Sequence, residues 1–120
     1  MKSDTFYMSM LFDFYGELLT DKQKEFFDLY YNEDLSLTEI AEHAGISRQG
    51  VRDAIVRSEA ILRDVEERCG LVKKYGRYED NIGRIAEEAA YIAKVNALSI
   101  KNYEIATHAE RLLKITEEMR

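Results

Sequence analysis

The sequence predicts an all-α fold, and three observations carry that prediction. The 120 residues include no proline and only six glycines, the two residue types that most often interrupt helices. Apolar residues recur along most of the chain at the spacing of one helical face. With 46% hydrophobic residues, the chain can bury a core without a disulfide or a metal. We expect a helical domain over residues 1–70 and, over residues 71–120, a helical hairpin that serves in packing or dimerisation.

The first predicted helix begins at Asp4, whose carboxylate can cap it, and extends to about Leu19. One face of this helix is apolar at the i, i+4 spacing, so we expect it to lie in the core or partly in a dimer surface. That face comprises Phe6, Met10, Phe14 and Leu18, with Tyr7 and Leu11 alongside.

Thr20 is predicted to cap a second helix, in which Asp21 interacts favourably with the helix dipole. The helix contributes a cluster of large side chains: Phe26, Phe27, Leu29, Tyr30 and Tyr31. Aromatic clusters can stack the bases of single-stranded nucleic acid, but no basic residues interleave with this one. We therefore expect these side chains to belong to the core.

Residues 36–62 have the pattern of a helix-turn-helix. Ser36 and Glu39 form a capping box, which predicts a helix start. Gly45 follows where the chain must turn, a position that favours a residue free to adopt positive φ. We expect Ile46 to fill the corner between the helices and Ser47 to cap the second one.

The second helix of this motif is predicted to be amphipathic and long. Its apolar face comprises Val51, Ala54, Ile55, Ser58, Leu62 and Val65, and its opposite face carries Arg48, Gln49, Arg52, Asp53 and Arg57. The pattern continues to a glycine-terminated end at Gly70, about 22 residues or roughly 33 Å.

The polar face of this helix indicates a nucleic-acid contact. In a helix-turn-helix the N-terminal part of the second helix enters the major groove, where Arg and Gln can make bidentate hydrogen bonds to bases. The predicted contact residues are Ser47, Arg48, Gln49, Arg52 and Arg57, with Arg57 on the DNA backbone. The spacing alone leaves a scaffold role open, because similar helix pairs occur in proteins that bind no nucleic acid.

The last third of the chain is predicted to be a basic linker followed by two helices. Residues 71–78, with Lys73, Lys74, Gly76 and Arg77, form the linker, which is either solvated or in contact with phosphate. The helices extend over residues 79–97 and over residues 100–119, the latter after a Ser99 cap. Their apolar stripes are Ile82, Ile85, Ala86, Ala89 and Ala93, and then Ile105, Ala109, Leu112, Thr116 and Met119.

The hairpin formed by these two helices is expected to bury one face on the long helix or on a second copy of the chain. We expect a homodimer, because two-fold symmetry would present two recognition helices to adjacent DNA half-sites.

The charge of the chain argues against a simple DNA-binding protein. The formal net charge is −6, which repels phosphate at long range, whereas DNA-binding domains are typically basic. The distribution is uneven: −5 over residues 1–35, −2 over residues 36–70 and +1 over residues 71–120. Residues 47–57 hold three arginines against Asp53 alone, so binding is expected to be local and salt-sensitive.

Residues 36–62 resemble region four of the bacterial sigma factors, the helix-turn-helix that contacts promoter DNA. Longer segments are similar to the YlxM family, small helix-turn-helix proteins of Gram-positive bacteria and mycoplasmas. These segments are residues 11–24, 29–37 and 46–49, and the similarity covers residues 1–75. The last third resembles the family only in being helical and charged.

This resemblance implies a cytoplasmic protein with a sigma-region-four-like domain of three or four helices. Members of the family tend to be encoded beside components of the signal recognition particle, which implies a part in that pathway. Three functions follow as alternatives. They are a regulator that binds double-stranded DNA, an accessory module that contacts the RNA or the GTPase of the signal recognition particle, and a protein-interaction adaptor.

The sequence shows no pattern typical of a disulfide-bonded protein, a membrane protein or an enzyme. Cys69 has no second cysteine with which to form an internal disulfide, and we find no leader or membrane-spanning apolar run, so we expect a cytoplasmic protein without membrane insertion. The sequence shows no phosphate-binding glycine loop, metal-spaced cysteine set or Ser/His/Asp arrangement. We therefore expect no enzymatic activity, metal or cofactor.

Overall fold

The computed structural model describes residues 2 and 4–120, and within them all regular secondary structure is helical. The α-helices are α1 (Thr5–Tyr15), α2 (Asp21–Tyr31), α3 (Leu37–Ala44), α4 (Arg48–Cys69), α5 (Leu71–Val95) and α6 (Tyr103–Glu118). A 3-10 turn at Gly16–Leu18 follows α1, and a π-helical segment at Asn96–Ile100 follows α5. The all-α prediction is confirmed. The chain divides into two compact units, one up to Val72 and the other at Lys73–Arg120.

The core of the first unit lies between α1, α2, α3 and α4, and α4 packs against each of the other three helices. Its largest fully buried side chains include Met8, Leu11, Phe27, Ile40, Val51, Ile55 and Leu62. Phe27 stacks on Phe12 with ring centroids 4.9 Å apart and contacts Tyr31 at 4.6 Å. The aromatic residues of α2 are thus core residues, as predicted.

The helix starts predicted for α1 and α2 are confirmed. The carboxylate of Asp4 accepts a hydrogen bond from the Tyr7 amide at 3.1 Å. At α2, Thr20 and Gln23 form a reciprocal capping box. Each cap provides an acceptor for an amide that has no partner within its own helix.

The predictions for the length and the buried face of α1 are wrong. The helix ends at Tyr15 in a turn that is closed by the Leu19 amide and the Gly16 carbonyl. Met8, Leu11 and Tyr15 face the core. The expected core residues Phe6, Phe14, Leu18 and Tyr7 are exposed. Apolar residues lie on several sides of this helix, so their spacing does not single out the face that packs.

The predicted linker at residues 71–78 is also wrong, because α5 begins directly at Leu71. Gly70 alone separates the two long helices and adopts a left-handed φ of 64°. The first amides of α5 find acceptors at once: Leu71 N–H donates to Tyr15 Oη at 3.1 Å and Val72 N–H to Glu66 Oε1 at 3.0 Å. A helix can therefore start there without a linker. The predicted 22-residue length of α4 and its Gly70 end are confirmed.

In the second unit, α5 and α6 form the predicted helical hairpin. Its buried side chains are Ile82, Ala89, Asn96, Ala109 and Thr116. Ile85, Leu112 and Met119, which the sequence placed in the same stripes, are instead exposed. The hairpin as described therefore buries only part of its apolar residues.

The connection between α5 and α6 differs from the prediction. Asn102, and not Ser99, caps α6 by accepting a hydrogen bond from the Ile105 amide at 3.0 Å. Ser99 Oγ donates to the Val95 carbonyl. The buried side chain of Asn96 donates to the Asn102 carbonyl and accepts from the Asn102 amide, both at 2.9 Å. Asn96 thereby fixes the turn, and the π-helical segment moves the start of α6 past Ser99.

Candidate nucleic-acid interface

The turn between α3 and α4 has the predicted geometry. Ser36 Oγ accepts from the Glu39 amide and Glu39 Oε1 accepts from the Ser36 amide, each at 3.0 Å. The helix ends at Gly45, which adopts a left-handed φ of 71° and donates its amide proton to the Ala41 carbonyl at 2.9 Å. The capping box and the glycine turn are confirmed.

One residue of the turn is misplaced by the prediction. Ile46, which we expected to fill the corner between the helices, is half-exposed. Leu37, Ile40 and Val51, which flank the turn on α3 and α4, are buried in the core of the first unit. Ile46 is left as an apolar group beside the start of α4.

A side-chain cap and a buried inner face together fix the start of α4. Ser47 Oγ accepts a hydrogen bond from the Gly50 amide at 3.0 Å. A Cβ at Gly50 would lie 3.2 Å from this oxygen, so glycine leaves room for the cap. Val51, Ile55 and Leu62 on the inner face are fully buried. The burial of one face determines which side chains point to solvent.

The structure brings the predicted contact residues together on the opposite face of α4. Ser47, Arg48, Gln49, Arg52 and Arg57 are all exposed. Gln49, Asp53 and Arg57 follow one another at i, i+4 spacing, and Arg48 and Arg52 form the neighbouring row. We call this surface the α4 outer face, defined by Arg48, Gln49, Arg52, Asp53, Val56 and Arg57.

The carboxylate of Asp53 accepts a hydrogen bond within the α4 outer face. Gln49 Nε2 donates to Asp53 Oδ1 at 2.9 Å, and Arg52 Nη1 lies 4.0 Å from the same oxygen. The side chains of Arg48 and Arg57 form no ion pair or hydrogen bond with any residue that the structure describes. Two guanidinium groups therefore remain available to a ligand, whereas Gln49 and Arg52 are held near a carboxylate.

Val56 was not predicted as part of this surface. It lies one turn beyond Arg52, outside the apolar stripe, and is 40% exposed. A small apolar side chain on a helix in the major groove can contact the methyl group of thymine. The signal that could have identified it is its place in the sequence, four residues after an exposed arginine.

Two tyrosine–glutamate hydrogen bonds, neither of which was predicted, hold α4 in position. Tyr31 Oη donates to Glu59 Oε1 at 2.8 Å in a buried contact between α2 and α4. Tyr15 Oη donates to Glu66 Oε1 and joins α1 to α4. Burial, and then the hydrogen bond to Glu66, raise the pKa of the Tyr15 phenol above its ordinary value. The partners are 28 and 51 residues apart, so no local pattern connects them.

Neither a metal centre nor a membrane span is found in the part of the chain that the structure describes. Groups of three or more His, Cys, Asp or Glu side chains that could hold a metal ion are absent from these residues. The described helices also include none with the length and apolar composition needed to cross a bilayer.

Comparison of the sequence with known proteins places the chain in a family. The sequence profile described as "Putative helix-turn-helix protein, YlxM / p13 like" matches residues 2–105. The chain belongs to the UPF0122 family. The description of this family names its helix-turn-helix and no enzymatic activity. The resemblance to the YlxM family is confirmed, and the match extends well past residue 75 into the second unit.

Individual UPF0122 proteins support this assignment over most or all of the chain. A UPF0122 protein of Caldanaerobacter subterraneus subsp. tengcongensis is 52% identical over 87 residues, which cover 72% of this chain and 74% of the relative. One from Thermoanaerobacter sp. is 42% identical over 122 aligned positions, covering 99% and 92%. One from Geobacillus kaustophilus is 47% identical over 87 residues, covering 72% and 79%.

Proposed function

We propose that this UPF0122 protein binds double-stranded DNA through the α4 outer face and acts as a regulator. The observation that carries the proposal is the exposure of Arg48, Arg52 and Arg57 opposite a fully buried face. These arginines begin directly after a left-handed glycine turn and a serine cap. This is the arrangement by which a helix-turn-helix presents its second helix to the major groove.

Each side chain has a distinct role in this proposal. Arg48 and Arg52 donate bidentate hydrogen bonds to guanine, and Gln49 pairs with adenine once its amide leaves Asp53. Arg57, one to two turns further along, contacts a phosphate. Ser47 stays on its cap, and the neighbouring amides at the helix start favour a phosphate close by.

The net charge sets the expected strength of binding. The chain as a whole carries −6 and gains no long-range attraction to DNA. Binding therefore depends on the few contacts of the α4 outer face and weakens with salt, since each phosphate contact releases counterions. We expect modest affinity for duplexes without a matching sequence.

Selection from a random duplex library, followed by binding measurements on the enriched sequence, tests the proposal. An arginine that pairs with a base contributes about 1–3 kcal/mol, which corresponds to roughly 5- to 150-fold in Kd. The R48A/R52A double variant should therefore lose binding almost entirely. The matched control is R68A/K114A, which removes the same charge at two positions that are not part of the α4 outer face and should bind within a few-fold of the wild type.

Two outcomes contradict DNA binding by this surface. One is a selection in which the wild-type protein enriches no duplex. The other is an equal loss of affinity in the double variant and in its control, which would mean that net charge and not the arginine positions determines binding.

A second candidate function is accessory binding to the signal recognition particle, through its RNA or its GTPase. The charge of −5 over residues 1–35 favours contact with the GTPase over contact with the RNA, because an acidic surface suits a basic protein surface better than a nucleic acid. Both candidates place the chain in the cytoplasm. Affinity purification of the tagged chain from a Gram-positive lysate separates them: recovery of the particle with no enriched DNA supports the second candidate.

A further inference from the structure

Both helices of the hairpin carry a heptad pattern. In α5 the pattern comprises Tyr78, Ile82, Ile85, Ala89, Ile92 and, just past the helix end, Asn96. In α6 it comprises Ile105, Ala109, Leu112 and Thr116, with Met119 at the end. Alternating steps of four and three residues are the spacing at which helices pack side by side in coiled coils and four-helix bundles.

The hairpin uses only every second position of this pattern. Ile82, Ala89 and Asn96 in α5, and Ala109 and Thr116 in α6, are buried. The members in between remain exposed: Tyr78 by 61%, Ile85 by 45%, Ile92 by 44%, Leu112 by 41% and Met119 by 56%. Mostly small or polar side chains therefore occupy the interior of the hairpin, and large apolar ones lie outside it.

Three of the exposed members, Ile85, Ile92 and Leu112, line a groove between the two helices. Ile85, Ala89, Ile92 and Leu112 line one part of it, and Ile105 and Ala109 line its continuation along α6. Since two packed helices bury few side chains, a hairpin of this kind is expected to complete its core with further helices. Arg84, Glu87 and Glu88 also line the groove, and we call these charged residues its rim.

We infer that this groove is the interface at which a second copy of the chain docks, so that two hairpins form a four-helix bundle. A two-fold axis brings Ile85, Ile92 and Leu112 of one copy against the same residues of the other. The layers of large side chains between the hairpins then complement the layers of small side chains within each hairpin, as a close-packed core requires.

The distribution of charge favours contact between two copies through this surface rather than through other surfaces of the chain. Residues 71–120 carry a net charge of +1, whereas residues 1–70 carry −7. A two-fold contact pairs each region with itself, so contact through the hairpins brings the least like charge together. The rim of the groove carries both signs. A two-fold axis that crosses α5 between Arg84 and Glu88 sets each of these residues near the other in the second copy, which is complementary by symmetry.

The extent of the apolar surface also suits a dimer. A stable interface buries about 800 Å² on each partner. Ile85, Ile92 and Leu112, exposed by 41–45%, supply the apolar centre of such a contact. Polar residues of α5 and α6 that flank the groove can form the polar periphery of the interface.

Molar mass measured by light scattering over a concentration series tests the inference on the full-length chain. The wild type should show twice the 14.0 kDa of one chain. Ile92→Lys and Leu112→Lys place like charges together across the two-fold axis, and each should reduce the mass to that of a monomer. Tyr91→Lys is the matched control, because Tyr91 is exposed on α5 but does not line the groove. It should remain dimeric.

Cross-linking keeps the test decisive if a lysine variant loses helicity by circular dichroism. Cys69 is exposed and is first replaced by serine. A short bis-maleimide should then link two chains through Ile92→Cys and not through Tyr91→Cys. A wild-type monomer at all concentrations, a groove variant as dimeric as its control, or equal cross-linking at the two positions would each overturn the inference.

Discussion

Tyr15 donates a hydrogen bond from its phenol to the carboxylate of Glu66, across 51 residues of sequence. The same phenol oxygen accepts from the Leu71 amide at 3.1 Å, and the same carboxylate oxygen accepts from the Val72 amide at 3.0 Å. The first amides of a helix lack acceptors within the helix. The pair therefore joins α1 to α4 and at the same time caps the start of α5.

The substitution Tyr15→Phe should lower the free energy of unfolding by about 1–3 kcal/mol. It removes the proton donor to Glu66 and leaves the amide of Leu71 without its acceptor, and an unsatisfied buried group costs about that much. Urea unfolding at neutral pH, followed by circular dichroism, measures the change. Tyr7→Phe is the control, because Tyr7 lies on the same helix but is exposed, and it should change stability by less than about 0.5 kcal/mol. Equal effects of the two substitutions would contradict the role assigned to Tyr15.

Stability should fall at alkaline pH in a way that depends on Tyr15. Burial and the bond to Glu66 raise the pKa of this phenol, so the folded chain holds the phenolic proton more tightly than the unfolded chain does. By linkage, this stabilisation is fully present below the ordinary tyrosine pKa and is lost as the pH rises through the raised value. The difference in unfolding free energy between the wild type and Tyr15→Phe should therefore shrink as the pH rises above the ordinary tyrosine pKa of about 10. A difference that is constant or grows with pH would contradict the shift.

Two glycine-to-alanine substitutions should change the stability of the fold in opposite directions. Gly45 adopts φ 71° and a Cβ there would meet nothing within 4 Å, so Gly45→Ala costs only backbone strain, about 1 kcal/mol. Gly76 lies within α5, again with open space around it, and Gly76→Ala should gain up to about 1 kcal/mol from helix propensity. Thermal unfolding of both variants measures the two effects. A stabilised Gly45→Ala variant would mean that the turn does not require a left-handed residue.

Features that depend on neighbouring residues could be predicted from the sequence. The caps at Thr20, Ser36 and Ser47 and the glycine ends of α3 and α4 each involve a few residues in order, so their chemistry is visible in the sequence. For the same reason, the exposed arginines of α4 followed directly from the apolar face opposite them.

Features that depend on distant partners could not be predicted. The prediction of the core face of α1 was wrong because Phe6 and Met8 are both apolar. Only the packing against α2 and α4 distinguishes the two positions. The start of α5 was missed because its acceptors come from Tyr15 and Glu66. Asp53 was recognised as a charge, but its hydrogen bond to Gln49 depends on side-chain conformations that spacing does not specify.

Asp53→Asn should strengthen DNA binding if the α4 outer face contacts DNA. The substitution removes the negative charge among the arginines and retains an amide oxygen that can accept from Gln49. An exposed charge interaction of this kind is worth about 0.2–1 kcal/mol, so Kd should fall by up to roughly five-fold. The gain should decrease as salt increases, because the charges involved are solvent-exposed.

The control for this prediction is Asp64→Asn, which removes the same charge from the same helix. Asp64 pairs with Arg68 at 3.2 Å and lies about three turns beyond Asp53, so its loss should change Kd much less. If Asp53→Asn and Asp64→Asn increase the affinity for a random duplex equally, the increase reflects net charge, and the α4 outer face is not the contact surface. If Asp53→Asn weakens binding only to the selected sequence, Asp53 accepts a hydrogen bond from a cytosine amino group, and its carboxylate contributes to specificity.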